Sequence, residues 1–139
     1  MYHKVIIVGN LGRDPEMRYT PDGTPVTEFS VATNYRWKRQ DGTQVDETTW
    51  FRVTAWRQLA ELCNQYLSKG RQVLIEGRLK PDETGGPRVW TGNDGQARAS
   101  YEVRALTVRF IGGRGEGVDT SASYQEAPPP DLGEDEIPF

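Results

Sequence analysis

Two segments of the sequence alternate between apolar and polar residues over about a dozen positions each, and this pattern constrains the fold most. In residues 27–39 the aromatic and β-branched side chains fall on one parity, and residues 48–57 alternate in the same way. Alternation with period two is typical of a β-strand that buries one face. Asp41-Gly42 lies between the segments and favours a hairpin turn, because both residues tolerate a positive φ. Together the two segments predict a long two-stranded β-ribbon.

Three further segments predict strands. Residues 2–8 are rich in β-forming side chains, and residues 73–80 alternate with period two. Residues 97–111 alternate as well, except near Leu106, where the break in the pattern indicates a β-bulge. Residues 81–95, which separate the last two segments, contain prolines and glycines and are typical of a loop.

Residues 58–69 change from period two to helical spacing. Apolar side chains recur every three or four positions, which predicts an amphipathic helix, and Gly70 is a natural residue to end it. The apolar stripe consists of Leu59, Leu62, Cys63, Tyr66 and Leu67. The order of three strands, one helix and two strands predicts an all-β protein. We expect a five-stranded Greek-key barrel of the OB-fold type, with the helix between strands 3 and 4.

Charge divides the chain into two parts. Residues 1–112 carry a net charge of +3 and residues 113–139 carry −6, which together account for the −3 of the whole chain. The second part has few apolar residues and contains Pro128-Pro129-Pro130, so it cannot bury enough surface to offset the entropy of ordering. We therefore predict a folded domain in residues 1–112 and a disordered acidic tail in residues 113–139.

The sequence also indicates where the protein is located. Its longest apolar run, residues 5–8, is far shorter than the roughly 20 residues of a membrane helix. The first residues carry no pattern of an export signal, and the single Cys63 is compatible with a reducing compartment. We expect a cytoplasmic protein that does not associate with a membrane.

Nothing in the sequence predicts catalysis, a metal or a cofactor. One histidine, His3, and one cysteine, Cys63, cannot form a His/Cys metal cluster, and Cys63 on the helix stripe suits a packed core thiol. Residues 9–13 resemble a phosphate-binding loop only in their glycines, since the Gly-Lys-Ser/Thr ending is missing. The acidic residues 134–136 offer no preorganised geometry for a cation. We predict a protein that is not an enzyme.

The tryptophans point instead to a binding surface. Trp50, Arg52 and Trp56 share one parity of residues 48–57. The opposite parity carries the apolar residues Phe51, Val53 and Ala55, which suit a core. We therefore predict that Trp50, Arg52 and Trp56 face outward.

Two more tryptophans lie beside cations. Trp37 precedes Lys38 and Arg39 next to the hairpin turn, and Trp90 lies two positions after Arg88. Exposed rings can stack on any unpaired base while cations contact phosphates, so this pattern favours binding of single-stranded nucleic acid. An OB-fold adaptor that buries its tryptophans at a dimer interface is the alternative, and a small enzyme is a remote third.

Several motifs together resemble the bacterial single-stranded DNA-binding proteins. The resemblance covers nearly all of residues 1–112 and the last six residues of the chain. The matching motifs are KVIIVGNLGRDPE at 4–16, RY at 18–19, FSVATN at 29–34, TWFRV at 49–53, LAE at 59–61, YLSKG at 66–70, VLIEGRL at 73–79 and EDEIPF at 134–139. One departure is Phe51, which stands where members often have a histidine near a subunit contact.

The resemblance implies an OB-fold homotetramer that wraps single-stranded DNA irrespective of sequence. It implies that residues 1–112 bind DNA and oligomerise, and that an acidic tip docks enzymes of DNA replication, recombination and repair. The DNA-binding positions it implies are Trp37, Trp50, Trp56, Trp90, Arg18, Lys38, Arg39, Arg52, Lys69 and Arg88. The docking tip consists of Glu134, Asp135, Glu136, Ile137, Pro138 and Phe139.

Overall fold

Seven strands and one helix make up residues 1–112, the part of the chain that this computed structural model describes. The tail and the docking tip predicted for residues 113–139 lie outside it. The elements are β1 (Val5–Leu11), β2 (Glu16–Tyr19), β3 (Pro25–Lys38), β4 (Gln44–Trp56), α1 (Gln58–Tyr66), β5 (Gln72–Leu79), β6 (Arg88–Thr91) and β7 (Ala97–Phe110).

Five of the strands close into a barrel. They are hydrogen-bonded in the order β1, β5, β7, β4 and β3, and β3 returns to pair with β1 at Asn10–Leu11. All these pairings are antiparallel except that of β4 with β7, which is parallel. The helix follows β4, the third barrel strand in chain order, after β1 and β3. This arrangement is the predicted OB-fold, and the prediction is confirmed.

The long ribbon is formed by β3 and β4. Their pairing runs without interruption from Val26 opposite Trp56 to Lys38 opposite Gln44. Gly42 has a φ of 89° in the turn, and the Asp41 carboxylate accepts a hydrogen bond from the backbone N–H of Thr43 at 2.8 Å. The predicted ribbon and turn are confirmed.

The core lies on the odd-numbered parity of the central strands. The interior is apolar. Each Å² of apolar surface that is removed from water stabilises the fold by about 25 cal/mol. It includes Phe29 and Val31 of β3, Val53 and Ala55 of β4, Val73 and Ile75 of β5, and Val103 and Ala105 of β7.

Helix α1 packs against this core through Ala60 and Cys63. The buried hydroxyl of Thr27 donates a hydrogen bond to the backbone carbonyl of Ala60 at 2.7 Å, which joins the helix to β3. Burial raises the pKa of the Cys63 thiol to about 12, so the thiol stays protonated and unreactive at neutral pH. The prediction of a packed core thiol is confirmed.

The helix ends three residues earlier than predicted, at Tyr66. Leu67 takes an extended backbone conformation and buries its side chain in the core instead of continuing the helix. The following backbone pairs with the end of β1: the N–H of Gly70 donates to the carbonyl of Leu11 at 2.9 Å, and Lys69 N–H donates to the Asp14 carboxylate at 2.8 Å. These tertiary contacts compete successfully with another helical turn.

The region predicted to be a loop, residues 81–95, contains a strand. β6 pairs with the beginning of β7, from Arg88 opposite Ser100 to Thr91 opposite Ala97. The pattern was missed because four residues are too few for a period to show. The remaining loop closes on Asp82, whose carboxylate accepts hydrogen bonds from the backbone and hydroxyl groups of Thr84.

The bounds of the first strand and the presence of β2 differ from the prediction. The first strand spans Val5–Leu11 rather than residues 2–8, and the short β2, which pairs with β3, was not predicted. The bulge predicted near Leu106 is confirmed, because Glu76 lies opposite Thr107 while Gly77 lies opposite Ala105, which leaves Leu106 without a partner. The helix α1 of residues 1–112 lacks the length and apolar character needed to cross a membrane.

Candidate nucleic-acid interface

One outward face of the sheet extends over β6, β7, β4, β3 and β2. Residues that lie opposite each other in a ladder project from the same face, so the pairing register identifies the members of this face. Arg52 of β4 lies opposite Ser30 of β3 and Glu102 of β7, and Trp90 of β6 lies opposite Arg98 of β7. Up to the bulge at Leu106, the even-numbered residues of these strands therefore project from one side of the sheet, where most are accessible and Val26 and Thr54 are buried.

The residues predicted on the outward parity of β4 differ in exposure. Trp50 is 52% exposed and Arg52 is exposed, whereas Trp56 is half-buried. Val53 and Ala55, on the opposite parity, are buried as expected, whereas Phe51 is only half-buried, packs against the edge of the core and contacts the ring of Tyr101. Thr54, which lies between Arg52 and Trp56 on the same parity, is buried. The outer face of β4 therefore presents the rings of Trp50 and Trp56 as two separate aromatic positions.

Trp50 and Trp90 line one groove. The groove has a volume of about 500 Å³, and Arg52 contributes a cation to its wall. Its other lining residues are Ser30, Thr48, Thr49, Phe51, Ala99, Ser100 and Tyr101. The groove therefore combines two aromatic rings, one guanidinium group and several hydroxyl groups that can both donate and accept hydrogen bonds.

Trp90 lies on β6 and not in a loop. It is 37% exposed, and the guanidinium carbon of Arg88 lies 5.0 Å from the centroid of its ring, within the range of a cation–π contact. Arg88 also approaches Glu102, with 4.0 Å between the nitrogen and the carboxylate oxygen. β6 thus presents the ring of Trp90 together with the guanidinium group of Arg88, whose position is fixed by its contacts with Trp90 and Glu102.

The ribbon end carries a second group of predicted residues. Trp37 is 39% exposed, and the guanidinium carbon of Arg39 lies 5.9 Å from its ring centroid. Lys38 lies between them, and all three adjoin the turn at Gly42. They do not line the groove of Trp50 and Trp90.

Two predicted cations meet at one carboxylate. Arg18 of β2 and Arg52 of β4 form ion pairs with the two oxygens of Glu28, at 3.3 and 3.0 Å. Burial alone would raise the pKa of Glu28, but the hydrogen bonds and charges of Arg52 and Arg18 outweigh it and lower the pKa. Glu28 therefore stays ionised and holds both guanidinium groups on the outward face.

Lys69 stands apart from the other predicted residues. It lies in the turn between α1 and β5, where its backbone is bound to Asp14, and its side chain is exposed. Over residues 1–112, His, Cys, Asp and Glu side chains form no group of three that is suited to holding a metal ion.

Comparison with known proteins identifies the family of this chain. Residues 2–111 match the single-strand binding protein family. The chain belongs to this family.

Its relatives are similar over most of their length. The single-stranded DNA-binding protein of Neisseria meningitidis serogroup A is 43% identical over 124 residues, which cover 89% of this chain and 67% of the relative. That of Wolinella succinogenes is 42% identical over 134 residues, covering 92% and 78%. The crystal structure of the small single-stranded DNA-binding protein from Streptomyces coelicolor superimposes with a TM-score of 0.65 at 29% identity, over 81% of this chain and 96% of that one.

This family member has surface residues that sequence reasoning missed. Arg104 of β7 places its guanidinium carbon 5.7 Å from the ring centroid of Trp56, and Tyr101 and Ser100 line the groove. Arg104 lies far from Trp56 along the chain, and the parallel pairing of β7 with β4 brings the two together. The alternation of residues 97–111 placed Arg104 on one parity, but no local signal identified the strand beside it.

Proposed function

We propose that this chain binds single-stranded DNA irrespective of sequence, by stacking bases on tryptophan rings and contacting phosphates with Lys and Arg. The observation that carries the proposal is the groove in which Trp50 and Trp90, from different strands, share a wall with Arg52. An aromatic ring stacks on any base, at roughly 1–3 kcal/mol per base, while a nearby cation contacts the backbone. Membership of the single-strand binding protein family supports the same conclusion.

The surface favours unpaired bases over a duplex. The rings of Trp50 and Trp90 offer faces for stacking, which a base inside a duplex cannot reach. A reader of duplex DNA would instead place a helix or a projecting β-ribbon in the major groove. The helix α1 packs on the barrel core through Ala60 and Cys63 and is not presented for that purpose.

Other predicted residues extend the DNA path on both sides of the groove. Trp37, Lys38 and Arg39 add a ring and two cations at the end of the ribbon, and Trp56 adds a half-buried ring at the other end of β4. We place Arg18, Lys69 and Arg88 along this path as phosphate contacts. The role is binding and protection of single strands during DNA replication, recombination and repair, in the cytoplasm at the nucleoid, without catalysis or a cofactor.

We propose that the chain assembles as a homotetramer, with residues 1–112 as the DNA-binding and oligomerising domain. Exposed apolar side chains on β1 support assembly: Ile6 is 60% exposed and Val8 is 43% exposed, and both project from the outer side of the barrel. A subunit contact over them would remove apolar surface from water.

We propose that the tail, residues 113–139, recruits partner enzymes through its tip. Glu134, Asp135 and Glu136 repel phosphates, so this segment does not suit the DNA surface. Ile137 and Phe139 are apolar groups that a partner's pocket can accommodate, and Pro138 reduces the conformations lost on docking. Several tails per oligomer would strengthen a weak single contact.

The test is a titration of the full chain with oligo-dT, followed by tryptophan fluorescence. Stacking quenches the emission, and Trp50→Ala or Trp90→Ala weakens binding by roughly 1–3 kcal/mol each while the circular dichroism spectrum is retained. A form that lacks residues 137–139 binds as the full chain does, because the tip does not contact DNA. Absence of quenching and of binding at low salt would contradict the function and favour the protein adaptor.

A further inference from the structure

Arg78 and Arg104 lie directly opposite each other on the outward face of the barrel. They are partners in the antiparallel ladder between β5 and β7, and both side chains are exposed. Like charges in directly opposed positions of a ladder destabilise a sheet. In the neighbouring row of the same face, Arg52 lies opposite Glu102, which is the ordinary arrangement of opposite charges.

The nearby carboxylates are engaged with other cations. Both oxygens of Glu28 are bound by Arg18 and Arg52, and Glu76 binds Lys4 at 2.7 Å. Glu102, on the same face of β7, accepts a hydrogen bond from the Ser100 hydroxyl and lies 4.0 Å from Arg88. Among residues 1–112, neither Arg78 nor Arg104 takes part in an ion pair. The two guanidinium groups therefore form a local excess of positive charge, for which this part of the chain supplies no anion.

The excess charge is adjacent to an aromatic ring of the proposed DNA path. The guanidinium group of Arg104 lies over the ring of Trp56, with 5.7 Å from its carbon to the centroid. This contact holds the planar group in place, because a cation over an indole face is attracted by the ring quadrupole. On the side away from Arg78, the partner of Arg104 in the ladder is Thr54 of β4, a buried and uncharged residue.

We propose that Arg78 and Arg104 together form a phosphate-binding subsite for the strand that passes Trp56. A base stacks at Trp56, and its phosphate lies between the two guanidinium groups, where it cancels their repulsion. The DNA path then continues from β4 across β7 onto β5. This inference rests on the proposed function and adds two residues to it.

The test measures oligo-dT affinity against NaCl concentration for the full chain and for Arg78→Gln and Arg104→Gln. For single strands the slope of log affinity against log salt is about −0.7 per phosphate contacted. Because the two arginines share one phosphate, the double variant should lose about 0.7 of the slope, and each single variant should lose part of it and bind roughly threefold more weakly. Arg104→Lys keeps the charge and should keep the slope. The matched control is Arg36→Gln, which removes the same charge at the turn end of the ribbon, from an arginine that is not one of the proposed phosphate contacts.

A second readout separates binding from folding. Because like charges in opposed positions of a ladder destabilise a sheet, Arg78→Gln should leave the Tm unchanged or raise it while it weakens DNA binding. A wild-type slope in Arg78→Gln and Arg104→Gln, an equal loss in Arg36→Gln, or a lowered Tm in Arg78→Gln would overturn the subsite. If the unmodified chain does not bind oligo-dT at all, the proposed function fails, which is a different result.

Discussion

The ring of Trp50 lies directly against the backbone of Gly12. A Cβ atom on Gly12 would come within 2.6 Å of Cζ3 and 2.7 Å of Cη2 of the indole, closer than side-chain atoms approach each other. A side chain at position 12 would therefore push the exposed indole ring aside. Gly12 thus sets the position of a ring that is more than half exposed, and the ring cannot lie there if any side chain is present.

We expect Gly12→Ala to weaken oligo-dT binding by about 1 kcal/mol, because the methyl group displaces the indole from its stacking position. In a Trp50→Phe background the shorter ring leaves room for the methyl group, so the same substitution should have little effect. Oligo-dT titrations of the two single variants and the double variant measure this coupling. Equal losses in both backgrounds would show that Gly12 does not position the ring.

The strands β2, β3 and β4 are joined on their outer face by the ion pairs of Glu28. Its carboxylate lies on β3 and binds Arg18 of β2 and Arg52 of β4, so it connects three neighbouring strands. A carboxylate with two partners keeps both guanidinium groups in fixed positions, which one isolated surface pair does not achieve. The same contact therefore contributes to stability and arranges two proposed phosphate contacts.

Glu28→Gln should lower the free energy of unfolding by about 1 kcal/mol at pH 7. The pKa of Glu28 is lowered in the folded protein from its ordinary value of 4.5. Its stabilisation is therefore fully present above that value and is lost as the pH falls through the lowered pKa. Urea unfolding at pH 7 and near pH 3 checks this: a difference between the two proteins that persists undiminished at the lower pH would contradict it.

Elements with a clear period could be predicted, whereas pairing over long distances could not. The ribbon of β3 and β4, the helix and the bulge at Leu106 left local patterns in the sequence. The strands β2 and β6 have four residues each, so their existence depends on the partner strand. The exposure of Trp50 followed from parity alone. The proximity of Trp50 to Trp90 could not be predicted without knowing that β6 exists and pairs with β7. The proximity of Arg104 to Trp56 could not be predicted without knowing that β7 pairs in parallel with β4.

At the scale of the whole molecule, the outer side of β1 carries the exposed apolar residues Ile6 and Val8. Ile6 lies opposite Glu76 of β5, and Val8 lies opposite the buried Leu74. Adjacent apolar side chains of this size on an exposed strand are a feature of surfaces that bind another protein. A second copy of the chain is the partner that the proposed homotetramer supplies.

Light scattering should give a mass near four times that of the 15.7 kDa chain. Ile6→Lys should shift the mass toward smaller species on dilution, because a buried ammonium group opposes the contact. The circular dichroism spectrum of this variant should stay unchanged, since Ile6 lies outside the barrel core. A mass of one chain for the unmodified protein would contradict the tetramer.

The strict alternation of β4 limits how this surface can change during evolution. One residue inserted or deleted between Trp50 and Trp56 would exchange the two faces of one part of the strand, bringing one of the two tryptophans into the barrel and core residues of that part to the outside. New versions of the surface must therefore arise there by substitution. The turns at Gly42 and Gly95 lie outside the barrel pairings, so length variation among related proteins should concentrate in them.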